Sequence, residues 1–161
     1  MQIYIFRHGI AETARPGQDD ASRRLTPEGK EKLRRILEAA RGAGVRPDVI
    51  LSSHLKRAVE TAALAQEILK IATSIMKTES LLPAESPEKV WEEIRQHREA
   101  KQVLLAGHEP QFSSLVSYLM GAPNARVEMK KGAMARVDID SLGPRPAGVL
   151  VWLLTAKLAG A

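Results

Sequence analysis

The sequence contains no cysteine among its 161 residues. Disulfide cross-links, a thiolate nucleophile and a Cys-ligated zinc site are therefore excluded. Long apolar runs are also missing: Met1 to Phe6 is too short for a signal peptide, and Val149 to Leu154 falls far below the ~20 residues of a membrane helix. Trp91 and Trp152 have no aromatic neighbours that would form a platform for stacked bases. Because long apolar runs are missing, we expect a cytoplasmic protein without a membrane partner.

The composition is that of an ordinary soluble globular protein, with 44% hydrophobic and 27% charged residues. The net charge of +5 is a modest surplus. Binding to nucleic acid would need a denser basic stripe with interleaved aromatic residues, so we expect no nucleic-acid partner. The surplus is sufficient for a partner that carries phosphate. The length predicts a single domain over residues 1–161.

Apolar runs alternate with segments of helical periodicity along the chain. Predicted strands cover 2–6, 49–51, 73–77, 103–106, 134–139 and 149–154, and predicted helices cover 27–41, 55–69, 87–99 and 110–120. The last two strands flank a turn rich in Gly and Pro and are expected to be antiparallel neighbours. The alternation predicts an α/β fold, a single domain with a mostly parallel central sheet flanked by helices.

Local signals predict where the helices begin and which of them lie on the surface. Thr26 is the expected N-cap of the first helix, with Pro27 in its first turn. Ser53 is a candidate cap for the second helix. The third helix is expected to be an exposed one that carries Val90, Trp91 and Ile94.

Polar, chemically competent side chains follow three of the predicted strands. Arg7 and His8 follow the first strand, Ser53 and Arg57 follow the second, and His108 follows the fourth. Ligands of open α/β sheets bind beyond the carboxyl ends of the strands. If these strands are parallel, two histidines and two arginines emerge at one edge of the sheet.

These residue types suit a phosphoryl group. The guanidinium fork of arginine matches phosphate oxygens, and Arg57 falls in the first turn of a helix, where the backbone also attracts anions. Nearby cations are expected to lower the pKa of His8 and keep it neutral, so that one ring nitrogen attacks phosphorus. The other nitrogen would donate to a backbone carbonyl. Because adjacent strand residues face opposite ways, a bend at Gly9 is required to bring Arg7 and His8 to one phosphate.

Four segments in register resemble the histidine phosphatase superfamily, which is also described as phosphoglycerate mutase-like. They are Arg7-His8-Gly9, Leu25-Thr26-Pro27-Glu28-Gly29, Ser52-Ser53 with Arg57-Ala58 and Thr61-Ala62, and Gly107-His108-Glu109-Pro110. The short chain without insertions resembles the SixA-type phosphohistidine phosphatases of that superfamily. The resemblance implies that His8 is transiently phosphorylated, that Arg7, Arg57 and His108 form the phosphate pocket, and that hydrolysis uses no metal and no cofactor.

The sequence departs from the family pattern at several positions. Ile10 follows Arg-His-Gly where mutases usually have Glu-Ser, which counts against a phosphoglycerate mutase. His54 stands where many relatives have Pro, and it is either an additional donor to phosphate or a solvated loop residue. Arg23 either lines the rim of the pocket or is an exposed loop residue. Gly9 and Ser53 complete the candidate substrate-binding set.

No general acid is evident, and Glu85, Glu12 and Glu109 are only weak candidates. A phosphohistidine substrate does not need one, because protonated phosphoimidazole departs as a neutral ring whose pKa is about 6.5. An alcohol leaves far less readily. The missing acid therefore favours N–P over O–P substrates.

The expected function is hydrolysis of phosphohistidine on a partner protein of signal transduction, such as a histidine-phosphotransfer domain or a phosphocarrier. With little chain left to form a lid, the site is expected to be open and shallow, which suits a residue displayed on another protein. Two alternatives stay open: a small-molecule phosphomonoesterase with the same pocket, and an inactive module that binds phosphorylated ligands. A histidine-ligated metal is not expected, because Arg7 and Arg57 would repel a cation.

Overall fold

The computed structural model describes residues 1–160. The strands are β1 (Gln2–Arg7), β2 (Val49–Ser52), β3 (Ile75–Lys77), β4 (Gln102–Gly107), β5 (Met134–Asp138) and β6 (Val149–Leu154). The helices are α1 (Pro27–Gly42), α2 (Lys56–Leu69), α3 (Pro87–Gln96) and α4 (Gln111–Leu119), with short 3-10 turns at Asp20–Ser22 and Glu79–Leu81. All ten predicted elements are present. Over the described residues, no helix combines the length and apolarity needed to cross a bilayer.

The six strands form one sheet in the order β3-β2-β4-β1-β5-β6. The first four in this order are parallel, whereas β5 runs antiparallel to β1 and β6 runs antiparallel to β5. The predicted α/β class, the mostly parallel sheet and the antiparallel final pair are confirmed. The order places β1, β4 and β2 side by side in the centre, so their carboxyl ends meet at one edge.

Helices cover both faces of the sheet. Side chains of β1 alternate between the two layers: Tyr4 and Phe6 pack in the cluster that contains α1 and α2, and Ile3 and Ile5 pack in the cluster that contains α3 and α4. A parallel strand with both faces covered is apolar throughout, which explains the unbroken apolar run of β1.

The third helix is shorter and more deeply placed than the sequence predicted. It ends at Gln96, and Val90, Trp91 and Ile94 are fully buried against the sheet. The indole Nε1 of Trp91 donates to the carbonyl of Gly143 at 3.1 Å. The expectation of an exposed helix was wrong because these residues form an apolar stripe at helical spacing, which packs in the core.

The predicted cap of α1 is confirmed and that of α2 is wrong. Thr26 accepts a hydrogen bond from the amide of Gly29 at 3.0 Å. The N-cap residue of α2 is Leu55, which makes no side-chain cap bond. The hydroxyl of Ser53 instead lies in the cluster of polar side chains at the carboxyl edge of the sheet.

Candidate active site

The hydrogen-bond ladder of the central strands continues one residue past their ends. The amide of His8 donates to the carbonyl of Gly107 at 2.9 Å, and the amide of Ser53 donates to the carbonyl of Ala106 at 3.0 Å. His8 and Ser53 are thereby held on either side of the end of β4, where His108 follows. The sheet therefore brings together the polar residues that follow its three central strands.

His8 is buried, and a contact with the backbone shows which of its two ring nitrogens carries the proton. Its Nδ1 lies 2.7 Å from the carbonyl oxygen of Gly9. A carbonyl can only accept, so Nδ1 carries the proton and Nε2 keeps a free electron pair. Gly9 packs so tightly on α1 that a Cβ would fall 2.8 Å from the side chain of Leu33. A larger residue would force either the side chain of Leu33 or the loop that follows His8 to shift.

Arg57 connects His8 to a carboxylate that the sequence did not single out. Its Nε atom lies 3.4 Å from Nε2 of His8. One terminal nitrogen donates to the backbone carbonyl of Asp20 at 2.9 Å, and the other to the Asp20 carboxylate at 3.1 Å. Arg57 falls in the first turn of α2, as predicted, and only 5% of it is exposed. Asp20 was missed because it lies in a loop without periodicity, where only its acidic character marked it.

His108 faces His8, with 5.1 Å between the ring centroids. Its Nε2 lies 2.8 Å from the hydroxyl oxygen of Ser53, which also accepts from the amide of Leu55 at 3.2 Å. If the Ser53 hydroxyl donates to Nε2, the proton of the His108 ring sits on Nδ1. Among residues 1–160, this Nδ1 is buried without a hydrogen-bond partner.

Arg7 is anchored by one terminal nitrogen, which donates to the carbonyl of Met129 at 2.6 Å. Its Nε is buried and has no partner in the described part of the chain. Burying an unpaired donor costs free energy unless a ligand satisfies it. The Nε of Arg7 and the Nδ1 of His108 are therefore donors suited to the oxygens of an anion beside His8.

Burial is the main reason that both histidines are neutral. Burial, together with the smaller effects of Arg57, Arg7 and Lys131, lowers the pKa of His8 to about 4, against the Gly9 contact that raises it. Burial, together with the smaller effects of His8 and the two arginines, lowers the pKa of His108 to about 3. The sequence predicted that the pKa of His8 is lowered, and the structure gives the same direction. The predicted cause, nearby cations, was incomplete, because desolvation by burial has the larger effect.

Arg23 belongs to the rim of this cluster. It donates to the carboxylate of Asp20 at 2.8 Å and to the carbonyl of Glu12 at 3.0 Å. It thus supports the loop that contacts Arg57. His54 is exposed and borders a separate cleft of about 430 Å³ with Asp19 and Lys56.

All three candidate acids are engaged as acceptors. Glu109 accepts from the amide and hydroxyl of Ser113 at 2.8 and 2.7 Å. Glu12 accepts from the amide of Arg24 at 3.2 Å. Glu85 pairs with Lys89 at 3.0 Å. Both carboxylate oxygens of Glu109 are thus engaged, and one each of Glu12 and Glu85, and none of these contacts joins an acid to His8, Arg57 or His108.

The arrangement combines an imidazole electron pair with several positively charged or donating groups. Such a set can bind a tetrahedral oxyanion and let Nε2 of His8 attack its central atom. Within residues 1–160, no cluster of three or more His, Asp or Glu side chains is placed to hold a metal ion.

Sequence comparison gives one family and one curated relative. The model of the histidine phosphatase superfamily, branch 1, matches residues 3–81. An uncharacterized protein of Picosynechococcus sp. is 34% identical over 64 residues. That alignment spans 40% of this chain and 39% of the relative.

Solved structures match over almost the whole chain. The protein histidine phosphatase SixA, in a complex with tungstate, has a TM-score of 0.87 and 25% identity, with 98% of both chains covered. A SixA protein from Agrobacterium tumefaciens has a TM-score of 0.81 and 24% identity over 96% of this chain and 97% of that one. The α-ribazole phosphatase from Shigella flexneri shares the fold, with a TM-score of 0.72 and 18% identity over 97% of each chain.

Proposed function

The chain belongs to the histidine phosphatase superfamily and to its SixA-type branch, and from this premise we propose that it hydrolyses phosphohistidine on a partner protein. Phosphatase activity itself is supported by this membership. The observation that carries the proposal is the unprotonated Nε2 of His8, which accepts from Nε of Arg57 at 3.4 Å, beside two buried donors without partners among residues 1–160. The matching SixA structure holds tungstate, which like phosphate is a tetrahedral oxyanion.

In the first step, Nε2 of His8 attacks the phosphorus of the substrate. The bond between His8 and phosphorus forms as the bond from phosphorus to the leaving nitrogen breaks, and the leaving imidazole keeps the electron pair and its own proton. Nδ1 of His8 stays protonated, and the carbonyl of Gly9 stabilises the positive charge that develops on the ring. Arg7, Arg57 and His108 donate to the three oxygens of the transferring group.

In the second step, a water molecule attacks the phosphorus of phosphorylated His8. The bond to Nε2 breaks and the electron pair returns to that nitrogen. Inorganic phosphate leaves as dihydrogen phosphate with both protons of the water, one of which it can then release to solvent. His8 is then neutral again, as its low pKa of about 4 requires at neutral pH. No metal takes part in this scheme, because the guanidinium groups supply the positive charge that would otherwise come from a cation.

The leaving group decides which substrate class this site serves. An alkoxide must be protonated as it departs, but no hydrogen bond or ion pair among residues 1–160 joins the carboxyl group of Glu12, Glu85 or Glu109 to His8, Arg57 or His108. A protonated phosphoimidazole departs as a neutral ring without such help, since the pKa of imidazole is about 6.5. This difference supports N–P substrates. A cytoplasmic partner, a phosphotransfer domain or phosphocarrier, is the carrier of phosphohistidine that we expect.

The test compares phosphohistidine peptides with p-nitrophenyl phosphate and a panel of sugar phosphates, in the presence and absence of EDTA. We expect the highest kcat/KM for the phosphohistidine peptide and no effect of EDTA. The His8→Ala variant should lose turnover with every substrate while retaining weak phosphate binding. Brief incubation with labelled substrate should trap a phosphoenzyme that is labile in acid and stable in alkali.

Each alternative function predicts a different result of these measurements. Equal kcat values for phosphohistidine and alkyl phosphates would remove the leaving-group argument and indicate a small-molecule phosphomonoesterase. Phosphate binding without any turnover in the wild type would indicate a binding module. Wild-type activity in the His8→Ala variant would refute the assignment of the nucleophile.

A further inference from the structure

A basic cleft of about 650 Å³ opens beside the candidate active site, on the side of Arg7. We call it the lysine cleft. Its charged lining residues are Arg7, Lys32, Lys130, Lys131, Lys157 and Glu128. Five cations thus face one carboxylate. They come from four distant parts of the chain: β1, α1, the loop before β5 and the segment after β6.

Part of this positive charge has no carboxylate partner among the described residues. Lys32 pairs with Glu28 at 2.7 Å, and Lys130 lies 3.8 Å from Glu128. Within residues 1–160, neither Lys131 nor Lys157 has a carboxylate within 4 Å. Uncompensated cations that converge on one cleft raise the local concentration of anions.

The lysine cleft shares Arg7 with the site of chemistry. Arg7 lines the cleft and also carries one of the two unpartnered donors beside His8. Lys131 is near enough to His8 for its charge to act on the imidazole. The loop of Lys131 is held beside His8 by a tertiary contact, in which the amide of Gly132 donates to the carbonyl of His8 at 3.0 Å. A substrate bound at His8 therefore extends next to the lysines of this cleft.

We propose that the lysine cleft binds an acidic segment that flanks the phosphorylated residue of the partner protein. This inference rests on the proposed function and names a surface feature of its substrate. Lysines are flexible point charges, whereas a second phosphate at a fixed position is matched better by the rigid fork of arginine. Lys130 is 64% exposed in its side chain, which suits carboxylates whose positions vary on a protein surface.

The test measures the binding of two fluorescent peptides by anisotropy. Both contain a stable phosphonate analogue of phosphohistidine, and it is flanked by glutamates in one and by serines in the other. We expect the glutamate peptide to bind the wild type about ten times more tightly at low salt, with the preference shrinking as salt is added. In Lys130→Gln/Lys157→Gln, the preference should fall about three- to tenfold.

The matched control is Lys70→Gln/Lys101→Gln, which removes the same charge at the opposite end of the sheet and should keep the preference. Inorganic phosphate and pyrophosphate are measured as competitors in parallel. No preference for glutamate in the wild type, or an equal loss in the control, would overturn the proposal. If Lys130→Gln/Lys157→Gln bound pyrophosphate more weakly but kept its preference for the glutamate peptide, the proposal would be overturned in favour of a small substrate with two anionic groups. Because anisotropy needs no turnover, failure to hydrolyse phosphohistidine would count against the proposed function alone.

Discussion

The carboxylate of Asp20 lies 3.1 Å from the guanidinium of Arg57, to which it is joined across 37 residues of sequence. Together with the Asp20 carbonyl, it occupies both terminal nitrogens of Arg57 and leaves the Nε edge toward His8. Hydrogen bonds from Arg23 and the charge of Arg57 outweigh the opposing effect of burial and hold the pKa of Asp20 below its ordinary value. A negative charge thus stands beside a site built for an anion, where it orients Arg57 and competes with the ligand.

Asp20→Asn should strengthen the binding of inorganic phosphate. The substitution removes one negative charge near the anion but keeps the backbone carbonyl that contacts Arg57. Because the carboxylate is partly exposed, we expect only a two- to fivefold decrease in the inhibition constant of phosphate, a magnitude in line with ordinary surface pairs of about 0.2–1 kcal/mol. Asp19→Asn is the control, since it makes the same charge change one residue away. Weaker phosphate binding in Asp20→Asn would show that orientation of Arg57 outweighs the competition.

Arg57→Ala should lower kcat by on the order of 10² to 10³, the scale for removing one donor to the transition state. Arg57→Lys should recover only part of this loss, because an ammonium cannot contact Asp20 and the anion with separate edges as the guanidinium does. Steady-state kinetics on the best substrate provide the measurement, and circular dichroism checks the fold. If Arg57→Lys matches the wild type, a simple positive charge is sufficient and the fork geometry has no catalytic role.

Sequence patterns could predict the fold and the central residues of the site for a common reason. The apolar runs of β1, β2 and β4 predict three buried strands. The residue that follows each strand is then predicted to lie at the carboxyl edge of the sheet. His8 and His108 were therefore predictable from position alone. Asp20 and Lys131 were not, because their loops have no periodicity and their neighbours are set by tertiary contacts. Val90, Trp91 and Ile94 are a different case, because their helical spacing did indicate a buried stripe and only the helix as a whole was placed on the surface.

Ser53→Ala should lower kcat with little change in KM. The hydroxyl of Ser53 holds Nε2 of His108 at 2.8 Å and so directs its Nδ1 proton, but it does not touch the substrate in the proposed scheme. We expect a five- to thirtyfold loss, smaller than the loss of on the order of 10² to 10³ for His108→Ala. In the double variant Ser53→Ala/His108→Ala, the loss of kcat should be almost the same as in His108→Ala alone, because the effect of Ser53 passes through His108. Additive losses in the double variant would instead give Ser53 a direct contact with the phosphoryl group.

The buried neutral histidines should make the protein less stable in mild acid. His8 has a pKa of about 4 in the folded state against 6.5 in the unfolded chain. Between these values the unfolded chain binds a proton that the folded protein does not, so stability is lost as the pH falls below 6.5 and continues to fall toward 4. His108, with a pKa of about 3, acts in the same direction and extends the window further.

His8→Gln should therefore reduce the loss of unfolding free energy between pH 7 and pH 5. At pH 5 the difference in proton binding at this one side chain corresponds to on the order of 1–2 kcal/mol. Urea denaturation of the wild type and the variant at both pH values measures it, and His54→Gln serves as the control because His54 is exposed. If the wild type and His8→Gln lose stability equally, then His8 is protonated in the folded protein at pH 5. It would then be a poor nucleophile in mild acid, and phosphatase activity should fall over the same pH range.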